Sequence, residues 1–175
     1  EAIELDPNLA RAYVLKGNVL HFGMREYGVP TELWIGEALD LANKAIRIDT
    51  MLAAAYLLKG NILSSREWDC EEALENLKKA YYLEPGNPEV LQSLGNMYMR
   101  SGEYEKGASL IVKSIERQFS PKDPEYYFRW GNLHTMIADY QTAEQMFRKA
   151  VSLAPGWIAP YYSLGQLYRY QGELE

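Results

Sequence analysis

The sequence predicts an all-α solenoid, a stack of helix–turn–helix units in which each unit packs mainly on its neighbours. Three observations carry this. Proline-to-glycine intervals of ten recur at Pro7/Gly17, Pro85/Gly95, Pro121/Gly131 and Pro155/Gly165, with Thr50/Gly60 standing in once. Small-to-small intervals of seven recur at Ala38/Ala45, Ala73/Ala80, Gly107/Ser114 and Ala143/Ala150. The glycines step by 43, 35, 36 and 34 residues, and self-similarity at a period of roughly 20–50 residues marks a repeat array.

Taken in order, the opening EAIELDP reads as the tail of a preceding second helix. Each unit then holds two apolar-periodic segments of helical length. In the last complete unit Tyr127, Trp130, Leu133, His134 and Ile137 recur at threes and fours, which places them on one stripe, and Ala143, Met146, Phe147, Ala150 and Val151 do the same on the second helix. Pro155-Gly156 stops that helix and turns the chain. The small residues let two helix backbones approach closely, and a larger side chain there would overpack the crossing by about 1–3 kcal/mol. Bulky fillers flank them: Tyr13, Tyr56, Leu91, Tyr127 and Tyr161 each stand four residues before a glycine. One helix pair cannot cover such faces, so stability must come from stacking. The sequence stops at GELE, where a further second helix would begin, and the chain is expected to be a piece of something longer.

Composition agrees with a folded, water-exposed chain: 47% hydrophobic and 24% charged, with no apolar run of the ~20 residues that a membrane helix needs. A net charge of −6 argues against binding of nucleic acid, which needs clustered Lys and Arg. The single cysteine, Cys70, excludes an internal disulfide and a cysteine metal cluster, and fits a reducing, cytoplasmic setting. No Gly-rich phosphate loop or nucleophile motif is present, the two histidines are far apart, and no catalytic residue, cofactor or metal is expected. His134 stands where Tyr98 and Tyr168 pack and is expected in the core, whereas His21, one residue later in the pattern, is expected to face a groove. Glu71, Glu72 and Asp123 at helix starts are read as partners of the helix dipole.

The pattern Tyr127-x-x-Trp130-Gly131-x-x-His134, Ala143-x-x-x-Phe147-x-x-Ala150, Pro155 resembles the tetratricopeptide repeat (TPR), whose length is about 34 residues. The resemblance covers the whole chain as a single array over residues 1–175: a stub (1–9), four full repeats (10–52, 53–87, 88–123, 124–157) and a final first helix (158–175). It implies a right-handed α-solenoid of TPR units. Three departures stand out. Gly17 and Ala38 are 21 residues apart where other units have 12 or 13, through an insertion that includes MREYGVPTELW. Gly28 and Pro30 read there as a loop, Thr31 as an N-cap, and Trp34, Ala38, Leu41 and Ala45 as one face of a lengthened second helix. This insertion is similar to TPR regions attached to bacterial cyclases, Ser/Thr kinases and winged-helix regulators. Lys16 and Lys59 replace the apolar residue found at Leu94, Trp130 and Leu164, so Leu15 and Leu58 are expected to supply the burial while the lysine stems turn outward. Finally, a two-residue excess between Ser114 and Pro121 predicts a longer helix end or a wider loop.

The resemblance places the first helices on an inner, concave wall. The residue after each glycine is Asn18, Asn61, Asn96, Asn132 and then Gln166. Asparagine is a mediocre helix former, and its carboxamide offers both donor and acceptor. In TPR proteins that this chain resembles, such an asparagine ladder hydrogen-bonds the backbone of an extended peptide. The plain alternative is a repeat-defining residue bonded to the adjacent helix. On the same face come Val14, Leu57, Gln92, Phe128 and Tyr162, then His21/Phe22, Ser64/Ser65, Met99/Arg100, Thr135/Met136 and Arg169/Tyr170. Arg11, Arg100, Arg129 and Arg169 face it against Glu89 and Glu125, which points to a ligand with acidic and aromatic or aliphatic side chains; the alternative is a solvated surface. The lysine clamp of chaperone-binding TPR domains is not assembled, because Val14, Leu57, Gln92 and Phe128 occupy its positions.

Three functional expectations follow. The first is a non-catalytic protein-interaction module whose candidate peptide-binding residues are Asn18, Asn61, Asn96, Asn132, Gln166, Phe128, Tyr162, Arg100 and Arg129. The second is a self-associating scaffold, since Tyr161, Leu164, Leu167 and Tyr168 of the last helix are left uncovered. The third is the regulatory or sensory arm of a larger bacterial signalling protein.

Overall fold

A computed structural model describes residues 2–30, 33–65 and 70–172, and the candidate N-cap Thr31 lies outside them. Its elements are α1 (Ala2–Leu5), α2 (Ala10–Glu26), α3 (Ile35–Ile48), α4 (Ala53–Leu63), α5 (Cys70–Leu83), α6 (Pro88–Arg100), α7 (Tyr104–Gln118), α8 (Pro124–Met136), α9 (Tyr140–Leu153) and α10 (Ile158–Gln171). Strands are absent among the described residues.

Local chemistry sets the ends. Pro88 opens α6 behind Asn87, whose side chain accepts from the Glu89 and Val90 N–H groups, and Asp139 caps α9 by accepting from Thr142 N–H. Past α6, α8 and α10, the seventh residue after each glycine takes positive φ: Gly102 (83°), Ala138 (60°) and Gly172 (73°). Ala138 alone carries a Cβ there, a conformation that disfavours L-residues.

The helices form hairpins, α2 on α3, α4 on α5, α6 on α7 and α8 on α9, joined in sequence by α3–α4, α5–α6, α7–α8 and α9–α10 contacts. The crossings are made at the small residues. A Cβ added to Gly95 would lie 2.7 Å from Ile111 Cγ1 and 2.9 Å from the Gly107 carbonyl oxygen, so these backbones touch. Ser114, fully buried, donates its hydroxyl to the Pro88 carbonyl at 2.7 Å and ties the same two helices together. Phe147 fills the equivalent notch at Gly131, and Leu77 fills that at Gly60. The buried residues form a succession of four clusters running from Tyr13, Trp34 and Leu58 to Ala143, Phe147 and Leu167, in place of a single enclosed core.

The proline-to-glycine interval also has a physical basis. The tyrosine four residues before the glycine donates its hydroxyl to a carbonyl six residues back: Tyr13 to Pro7 (3.1 Å), Tyr56 to Thr50 (3.2 Å) and Tyr161 to Pro155 (3.1 Å). The turn is thereby pinned to its own helix. Lysines of the second helices, Lys44, Lys79 and Lys149, lie over the rings of Tyr13, Tyr56 and Tyr127.

Three expectations need correction. The insertion lengthens the first helix, α2, and the loop after it; α3 spans 14 residues like α5 and α9, and Trp34 precedes it as a buried N-cap residue. Leu58 is buried in the Gly17 notch, but Leu15 is 66% exposed, because ahead of α2 the described residues provide only the one turn of α1 and no notch to fill. Lys16 and Lys59 meet Glu37 and Glu72 of their own hairpins at 2.9 Å each. Leu167 was expected to be uncovered and is 1% exposed, packed with Ala143 and Phe147. The exposed apolar residues of α10 are instead Ile158, Tyr161, Tyr162 and Tyr170. Tyr168 donates to Glu144 Oε1 at 2.7 Å, a bond that holds its phenol above the ordinary tyrosine pKa. His21 does line the groove between the first helices, as expected, but at 1% exposure, beneath Trp34 and Phe22 with ring centroids at 5.3 and 5.0 Å. The loop that the insertion creates brings Trp34 back over it.

Candidate peptide groove

Successive first helices α2, α4 and α6 leave between them a groove of about 820 Å³, bounded at one end by the α7–α8 turn and α8. Its wall carries Asn18, Asn61 and Asn96, one carboxamide from each helix, together with Ser64, Ser65, Gln92 and Ser93. The repeat period produces this column: when one residue follows each close-packed glycine, it returns to the same side at every unit. Gln92 Nε2 donates to Asn96 Oδ1 at 3.1 Å, while Asn18 and Asn61 have no such intrachain bond among the described residues. A half-buried carboxamide with spare donor and acceptor capacity is a ready partner for a peptide backbone.

Among the described residues the charged groups in the wall are Arg100, Arg129 and Glu89. Arg100 Nη1 donates to the Ser64 carbonyl at the end of α4, a cation at a helix C-terminus. Arg129 Nε–H donates to Glu125 one turn earlier at 2.7 Å, and its guanidinium lies over the Phe119 ring at 5.8 Å.

The remaining predicted residues stand apart from this groove. Phe128 packs against Phe147 and Trp157, with centroids at 5.9 and 4.8 Å. Asn132 is half-buried on α8, outside the groove lining. Tyr162 is 68% exposed on α10 and accepts from Gln166 Nε2 at 2.8 Å. Arg11 and Arg169 are exposed and lie outside the lining. Sequence reasoning missed Gln118 and Phe119, which line the groove from the end of α7. The signal for them was the two-residue excess after Ser114. It divides evenly: α7 runs four residues past Ser114 where α5 and α9 run three past Ala80 and Ala150, and the turn to α8 spans five residues (119–123) where α5 to α6 takes four (84–87).

Among the described residues no cluster of three His, Cys, Asp or Glu side chains is arranged to hold a metal ion, and no helix is long and apolar enough to cross a membrane.

With helix pairs stacked in this manner, the family model of the tetratricopeptide repeat matches residues 124–156. Residues 124–156 thus carry a tetratricopeptide repeat, and the fold around them is that of TPR proteins. The TPR repeat-containing protein YpiA of Bacillus subtilis (strain 168) is 30% identical over 80 residues, which is 46% of this chain and 18% of that protein. The chain thus spans about a fifth of that curated relative. Among solved structures, YrrB, described as a TPR protein with an unusual peptide-binding site, superposes with a TM-score of 0.62 at 23% identity, over 99% of this chain and 84% of that one. TTC0263, a thermophilic TPR protein of Thermus thermophilus, does so with a TM-score of 0.73 at 16% identity, over 95% and 84%. At these identities the likeness is one of fold. TPR proteins are in general non-catalytic modules that bind protein or peptide partners.

Proposed function

We propose that this TPR chain acts as one array and works by equilibrium binding, holding an extended peptide segment in the groove across α2, α4 and α6. The observation that carries this is the column Asn18, Asn61 and Asn96, three carboxamides at successive units along one groove whose wall also carries apolar Phe22, Leu57 and Met97. An extended strand presents N–H and C=O groups at regular intervals, and carboxamides pair with both. Arg100 and Arg129 then select among side chains, while Asn132, Gln166, Phe128 and Tyr162 would come into play only for a segment that continues past α8. The peptide-binding site ascribed to YrrB agrees with this reading.

The experiment is a panel of peptides selected from a randomised octapeptide phage library, titrated against the chain by fluorescence anisotropy. Replacing both Asn61 and Asn96 by Ala is expected to weaken binding roughly tenfold or more, at about 1 kcal/mol per lost hydrogen bond, with helical content unchanged. Unaltered affinity would remove the carboxamide column from the account.

A second reading, association through α10, is favoured by one feature. An added Cβ at Gly165 meets nothing within 4 Å, unlike those at Gly60, Gly95 and Gly131, and Ile158, Tyr161 and Tyr162 are exposed beside it. Light scattering across a concentration series tests this, and a constant monomeric mass would eliminate it.

A further inference from the structure

The extra residue at the end of α7 changes the groove as well as the helix. Phe119, the C-cap residue, has extended backbone (φ −128°, ψ 147°) and lines the groove where the corresponding turns after α3, α5 and α9 contribute no residue to it. Arg129 of α8 covers its ring, and Arg100 of α6 lines the same groove, held by the Ser64 carbonyl. Two guanidinium groups and the Phe119 ring therefore share a trough whose other lining mixes carboxamides and hydroxyls with apolar Phe22, Ala54, Leu57, Leu58 and Met97. Each arginine has five N–H donors. Among the described residues Glu125 takes one from Arg129 and Ser64 takes one from Arg100, so both retain donors for a ligand. Among the described residues Glu89 is the one carboxylate in the groove lining, against these two cations.

We infer that this part of the groove reads an acidic side chain of the bound segment, its carboxylate taken by Arg100 and Arg129 and a neighbouring apolar side chain resting on Phe119. The inference rests on the peptide-groove reading above and names the class of partner. A planar guanidinium matches a carboxylate bidentately, and stacking on a ring fixes its plane. The chain's net charge of −6 works the other way, since its long-range field favours basic peptides. A preference for acidic peptides can therefore come only from these local contacts, and added salt should weaken it less than it weakens non-specific attraction.

The octapeptide library supplies the test. Clones enriched on the wild-type chain are expected to carry Asp or Glu next to an aromatic or aliphatic residue. For a synthetic fluorescein-labelled peptide of the strongest clone, changing that Asp or Glu to its amide should lower affinity roughly tenfold, as should Arg100→Gln or Arg129→Gln in the chain, the scale of one charge-assisted hydrogen bond. Glu89→Gln should raise it. If Arg100→Gln perturbs folding, the charge swap decides: Arg129→Glu should lose the acidic peptide and gain its Lys-substituted version. Enriched clones without an acidic residue, or an acidic peptide indifferent to both arginine variants and to the swap, would overturn this inference while leaving the groove standing. Absence of any enriched clone, or clones insensitive to Asn61→Ala with Asn96→Ala, would overturn the groove reading and this inference with it.

Discussion

A methyl group added at Gly95 and one added at Gly165 should move stability in opposite directions. Inside a helix, replacing Gly by Ala gains about 1 kcal/mol in propensity. At Gly165 nothing lies within 4 Å of the new Cβ, so Gly165→Ala should stabilise by about 0.5–1 kcal/mol. At Gly95 the same Cβ would stand 2.7 Å from Ile111 Cγ1 and 2.9 Å from the Gly107 carbonyl oxygen. Ile111 could adjust its rotamer, but the carbonyl belongs to the α7 backbone and cannot turn aside without moving the helix. Overpacking costs about 1–3 kcal/mol, and a backbone obstacle places this site in the upper half of that range. After the propensity gain, Gly95→Ala should destabilise by about 1–2 kcal/mol. The two variants then differ by about 1.5–3 kcal/mol, well within the resolution of urea denaturation followed by far-ultraviolet circular dichroism. A Gly95→Ala variant as stable as wild type would show that α6 and α7 do not touch at this crossing. A destabilised Gly165→Ala variant would show that another element covers α10.

The leucine pair gives an independent check on the stacking: Leu58→Ala empties the notch at Gly17 and should cost about 2–5 kcal/mol, whereas Leu15→Ala, at an exposed position, should stay within about 0.5 kcal/mol of wild type by the same melts. Ser114→Ala leaves the Pro88 carbonyl without its buried donor and should cost about 1–3 kcal/mol, with near-neutrality counting against the bond. Hydrogen bonds from Thr142, reinforced by His134 at 3.0 Å, hold the Asp139 carboxyl below its ordinary pKa. Because the folded value is depressed, the stability it contributes is present above the unfolded value near pH ~4 and is lost as pH falls through the folded value. Wild type and Asp139→Asn should therefore differ most near neutral pH and converge in acid, and an equal gap at both ends of a pH series would refute the assignment.

What the residues alone determined about this protein was everything that depends on local spacing. Glycine and alanine at fixed intervals located the crossings, because two helix backbones approach closely only where side chains are small, and Asn18, Asn61 and Asn96 were legible as a column since one register position recurs on one side. What depends on the neighbouring unit required the tertiary structure. Leu15 and Leu58 occupy the same register, yet only Leu58 has a glycine notch to enter. His21 is covered because Trp34 returns on an inserted loop, and Leu167 is buried because α9 reaches it. The two extra residues after Ser114 were visible as a count, but a count does not say that Phe119 enters the groove beneath Arg129. Periodicity fixes which face of a helix is apolar, whereas burial is settled by what lies opposite that face, and in a stacked array this is always the next unit.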